Sequence, residues 1–170
     1  MPMTQGGGGL LWWQSASLHT SNHPGNDMSE DAVVIRPVIA APREEVFDAW
    51  LDPDMLAQFM RPGERTVTSA QVDARPGGKF RIVMAHDHET VEHWGTYLAI
   101  DPPSRLSFTW MSKYTDLQES VVTIELRDDG AGGTELTLTH ERLPKSRIDA
   151  HRDGWTKIAE RLQSRYRALS

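Results

Sequence analysis

The stretch that most constrains this chain is its last, from Ser146 to Leu169. Trp155, Ile158, Ala159, Leu162, Tyr166 and Leu169 recur at steps of three or four, which is one apolar stripe of an α-helix. Lys157, Glu160, Arg161, Gln163, Arg165 and Arg167 occupy the opposite side, and no proline interrupts them. Ser146 and Asp149 have the spacing of a capping box, with Pro144 just outside. At ~1.5 Å per residue such a helix is about 34 Å long. Its stripe needs a broad apolar surface, and the segment upstream supplies one.

From Val33 to Glu141 the chain reads mostly as strands. Val33 to Ala40 is rich in β-branched residues, and its Pro37 predicts an edge position or a bulge. Pro42, Glu44 and Glu45 open a helix whose apolar face is Val46, Phe47, Trp50 and Leu51. Asp52-Pro53 breaks it, and a second short helix runs from Pro53 to Phe59. Beyond Thr66 the apolar residues alternate. Phe80, Ile82 and Met84 share one face, as do Leu106, Phe108 and Trp110, then Val122, Ile124 and Leu126, then Leu136, Leu138 and His140. The segment from Thr90 to Ile100 is ambiguous, because Trp94 and Tyr97 have opposite parity; a bulge would let both face inward. Short Gly- and Pro-containing links join these segments, which implies an antiparallel meander. The predicted order is strand, two helices, six strands, helix, an α+β arrangement with about seven strands.

Residues 1–30 differ from the rest. Gly6 to Gly9 precede Leu10, Leu11, Trp12 and Trp13, and a polar stretch follows without periodicity. This reads as a disordered N-terminal extension, with residues 32–170 as the folded domain. The first basic residue is Arg36, so a signal peptide would lack its basic start, and no apolar run approaches the ~20 residues of a membrane span. The expectation is a cytoplasmic protein with no membrane partner. A formal net charge of −6 argues against nucleic acid as a partner. With no cysteine there is no disulfide, thiolate metal site or cysteine nucleophile.

Several pieces carry a family resemblance. They are Val46-Phe47-Asp48-Ala49-Trp50, Asp73-Ala74-Arg75-Pro76-Gly77-Gly78, Gly95-Thr96-Tyr97, Asp101-Pro102-Pro103-Ser104-Arg105-Leu106, Phe108-Thr109-Trp110 and His151-Arg152-Asp153-Gly154-Trp155. In this order and spacing the chain resembles the SRPBCC (START-like) superfamily. Within it, the chain is most similar to homologues of the heat-shock-protein-90 ATPase activator. The resemblance implies a helix-grip fold, a curled antiparallel sheet around the C-terminal helix with an elongated apolar cavity between them. It carries over no catalytic constellation.

The residues expected to line that cavity are Trp50, Phe59, Phe80, Met84, Trp94, Tyr97, Phe108, Trp110, His140, Trp155, Ile158 and Leu162. Such a lining suits a small hydrophobic molecule, lipid-like or aromatic. His86, His88 and His93 lie close in sequence but read as loop histidines, so no metal or other cofactor is expected. No nucleophile elbow or phosphate-cradling loop is present. His140, His93, Tyr97 and His151 are the inward polar groups available to acid–base chemistry. Non-catalytic ligand binding is therefore the first reading. Co-chaperone-like binding of a protein partner, and a polyketide cyclase- or aromatase-like activity, are the alternatives that the resemblance supplies.

Overall fold

The computed structural model describes residues 31–167. The expected extension over residues 1–30 and the stripe residue Leu169 lie outside that range. The chain forms β1 (Val33–Ile35), β2 (Val38–Ile39), α1 (Arg43–Ala49), α2 (Pro53–Phe59), β3 (Val67–Val72), β4 (Lys79–Ala85), β5 (Thr90–Asp101), β6 (Arg105–Trp110), β7 (Ser120–Asp128), β8 (Thr134–Glu141) and α3 (Ile148–Arg167). Every strand pairing is antiparallel, in the order β1-β8-β7-β6-β5-β4-β3, with β2 also on β8. This is the α+β helix-grip arrangement, a curled sheet closed by the long terminal helix.

The sheet has eight strands because Pro37 splits the first one. Proline has no N–H to give a ladder, so β1 pairs with Leu138–His140 and β2 with Thr134–Glu135. The Pro37 carbonyl still accepts from Leu136 N at 3.0 Å, which keeps the two halves on one edge. The two short helices then cover one end of the sheet. Asp52 caps α2 through its side chain, which accepts from Asp54 N at 2.9 Å, with Pro53 at the first helical position. Trp50 and Phe59 leave these helices and meet edge-on at 5.0 Å.

The terminal helix starts later than the capping-box spacing predicts. Lys145–Arg147 form a 3-10 turn behind Pro144, and α3 begins at Ile148. Asp149 does not reach back to a cap; its carboxylate accepts from Arg152 instead, at 2.9 Å. Ile148, Trp155, Ile158, Leu162 and Tyr166 form the buried stripe. Among the polar contacts that fix the helix laterally are Arg161 Nε to the Arg61 carbonyl and Gln163 Nε2 to the Val38 carbonyl.

Close packing in the middle of the sheet rests on Gly95. A Cβ there would lie 1.9 Å from the Thr109 carbonyl oxygen and 2.7 Å from the Phe80 ring. The Phe80 ring can therefore approach β5 closely at Gly95, and it meets Tyr97, Phe108 and Trp110 at centroid distances of 5.4, 5.3 and 6.0 Å. These four rings fill the centre of the concave face.

Candidate functional site

A chamber of about 340 Å³ opens at one end of the molecule. Its walls come from the end of β4 and start of β5, the turn between them, the turn after β6, and the first half of α3. Met84, Trp110, Trp155 and Ile158 supply the apolar surface. Trp110 and Trp155 meet at 5.1 Å with their planes 53° apart. The polar lining is His86, Glu89, His93, Tyr114, His151 and Asp153.

The twelve residues expected to line a cavity divide among several places. Met84, Trp110, Trp155 and Ile158 face the chamber. Trp50, Phe80, Tyr97 and Phe108 pack with Trp110 around a residual space of about 10 Å³, too small for any organic ligand. Leu162 borders a second space of that size, and Phe59 is wholly buried. Trp94 is the correction. The inward set on β5 is Val91, His93, Gly95 and Tyr97, so Trp94 points outward and is 36% exposed. The register shift that the sequence suggested does occur, but between Tyr97 and Ala99, too late to turn Trp94 inward.

His140 is buried completely and its hydrogen bonds are fully assigned by chemistry. The Trp155 indole N–H, which can only donate, gives to His140 Nδ1 at 2.9 Å. The ring proton therefore sits on Nε2 and is donated to Ser120 Oγ at 2.7 Å. Ser120 Oγ in turn donates to the Trp110 carbonyl at 2.6 Å. Burial pushes the His140 pKa well down, so the ring stays neutral. This chain is a wall that holds both chamber tryptophans, and it leaves His140 no free valence for a ligand.

The chamber histidines differ. His151 Nδ1 donates to the Arg147 carbonyl at 2.8 Å, one helical turn back. In the neutral ring Nε2 is then an acceptor. Burial, opposed by that backbone bond, leaves the His151 pKa lowered. His93 is 6% exposed and lies over Trp110 at 4.9 Å. Its Nδ1 is sealed without a hydrogen-bond partner. Burial is the main cause that pushes its pKa down to about 4. His86 bonds Thr66 Oγ1 through Nδ1 at 3.1 Å, while His88 is exposed. No group of three potential metal ligands converges among the described residues.

The mouth is held by a polar clasp. Glu89 accepts hydrogen bonds from Lys113 and from the Tyr114 hydroxyl, which keep its carboxyl below the usual range and raise Tyr114. Arg147 binds Asp116 at 2.8 Å and ties that turn to the start of α3. Glu89 and Tyr114 come from distant turns, so no local sequence signal brings them together. His151 was readable as one turn before Trp155 on the inward side.

A family model described as Activator of Hsp90 ATPase homolog 1-like protein matches residues 40–166. Among solved structures, a protein of Chromobacterium violaceum is 25% identical, with a TM-score of 0.72 over 80% of this chain and 96% of that one. An AHSA1-like protein from Aeromonas hydrophila is 24% identical, with a TM-score of 0.70 over 81% and 93%. An HSP90 activator from Plasmodium falciparum is 24% identical, with a TM-score of 0.60 over 75% and 89%. No curated protein sequence matches. No helix among the described residues is long and apolar enough to cross a membrane.

Proposed function

The chain belongs to the family of Activator of Hsp90 ATPase homolog 1-like proteins, and from that premise we propose that it binds a small hydrophobic molecule in the end chamber. The observation that carries this reading is the chamber itself, about 340 Å³ walled by Met84, Trp110, Trp155 and Ile158. A mostly apolar cleft with a few convergent polar groups is the usual form of a small-molecule site, and this volume falls at the small end of the range. One or two rings suit it better than an extended lipid chain.

Gly154 supplies the test. It lines the chamber, and a Cβ added there meets nothing within 4 Å. Gly154→Leu therefore narrows the chamber from a position where the first added carbon meets no neighbour. Native mass spectrometry against a mixed library of aromatic compounds, sterols and fatty acids is expected to give a bound mass with the native chain and none with Gly154→Leu. A bound mass that survives the substitution would place the ligand elsewhere.

The family's name supports a second reading, co-chaperone-like binding of a protein partner. Stimulation of a purified Hsp90 ATPase by this chain, unchanged by Gly154→Leu, would favour that reading over the first.

A further inference from the structure

The polar groups of the chamber say which hydrophobic molecules it accepts. We propose, resting on the ligand-binding reading above, that the chamber selects uncharged aromatic compounds bearing a hydroxyl group, received by His151 Nε2, and rejects carboxylates such as free fatty acids.

The first support is the fixed hydrogen on His151. Nδ1 is committed to the Arg147 carbonyl at 2.8 Å. The neutral ring therefore presents an acceptor at Nε2, and a hydroxyl is the smallest neutral group that donates to it. His93 lies in the same lining with its ring against Trp110. A hydroxyl both donates and accepts, so it suits His93 in either tautomer as well.

The second support is charge. No lysine or arginine lines the chamber, whereas Glu89 and Asp153 do. Each carboxylate already holds a lysine, Glu89 with Lys113 and Asp153 with Lys157 at 3.1 Å. Burial keeps His93 uncharged near neutral pH. An entering carboxylate would leave water for a space that offers it no cation not already paired, and charge taken out of water without a partner is unfavourable. Trp110 and Trp155 meanwhile supply aromatic surface to one wall, with ring centroids 5.1 Å apart.

Three probes of one shape separate these terms: naphthalene, 2-naphthol and 2-naphthoate, measured by calorimetry at pH 7.5 on the full chain. The native chain is expected to bind 2-naphthol about ten-fold more tightly than naphthalene, the effect of one well-placed hydrogen bond. It is expected to bind 2-naphthoate more weakly than either. In His151→Phe the ratio of 2-naphthol affinity to naphthalene affinity should fall to about one. His151→Gln, which keeps an acceptor, should retain part of the 2-naphthol advantage. Equal affinities for 2-naphthol and naphthalene, or a preference for 2-naphthoate, would overturn the proposal and leave the ligand-binding reading intact. A 2-naphthol preference that survives in His151→Phe would overturn the assignment to His151. Binding of none of the three would overturn both readings together.

Discussion

Trp155, on the terminal helix, donates its indole N–H to Nδ1 of His140, on the last strand, at 2.9 Å and out of contact with solvent. The bond joins the two layers of the fold at the point where the chamber begins. It also sets the tautomer of His140 and, through Ser120, anchors the backbone of Trp110.

This bond makes Trp155 a structural residue as well as a chamber wall. Trp155→Phe keeps most of the apolar contact but leaves His140 Nδ1 unpaired in the interior, which should cost about 1–3 kcal/mol. Trp155→Ala adds a cavity, and the loss should rise to about 3–5 kcal/mol. Urea denaturation of the two variants checks both the sizes and the order. A Trp155→Phe variant as stable as the native chain would mean that the hydrogen bond contributes nothing, and equal losses in the two variants would mean that the packing of the ring contributes nothing.

Gly154→Ala should stabilise the protein. The residue sits inside α3, where glycine is less favourable than alanine by about 0.8–1.0 kcal/mol. The new methyl group enters open space. A higher melting temperature by differential scanning calorimetry is the expected result, and a lower one would show that the backbone there needs glycine's freedom.

Stability should fall on mild acidification. His93 and His140 have folded pKa values below the ordinary 6.5, through burial in both cases, with His93 at about 4. Below pH 6.5 the unfolded chain takes up protons that the folded chain refuses. The contribution is thus fully present above about pH 6.5 and is lost as pH falls toward 4. For His93 alone it is on the order of 3 kcal/mol. Glu89, whose pKa is lowered from 4.5, affects only the range below that value. Denaturation midpoints at pH 7.5 and 5.0 test this, and His93→Leu should flatten the slope. A native profile flat across that interval would contradict the burial of neutral imidazoles.

The fold was legible because its periodicities are strong. The stripe of Trp155, Ile158, Leu162 and Tyr166 and the alternation of Leu106, Phe108 and Trp110 each allow one facing. The parity of Trp94 was not legible, because the Thr90–Asp101 strand carries large apolar residues on both faces, with Leu98 exposed like Trp94. What decides it is Gly95, whose missing side chain lets Phe80 cross the inner face. The start of the terminal helix was misread because Ser146 and Asp149 fit the capping pattern, while Pro144 instead opens a 3-10 turn. The chamber's place was hidden for a different reason. Alternation gives the direction of a ring, and only the assembled sheet shows that Phe80, Tyr97 and Phe108 consume the central volume and leave space at one end.

The central rings also divide labour within one interior. Phe80, Tyr97 and Phe108 belong to the packed middle, while Met84, Gly154 and Ile158 belong to the chamber; Trp110 alone of these borders both. The frame and the space it encloses are therefore specified by nearly separate sets of side chains. A lineage can reshape the chamber at Gly154 while its scaffold stays constant, whereas a change at Trp110 or Trp155 alters the two at once.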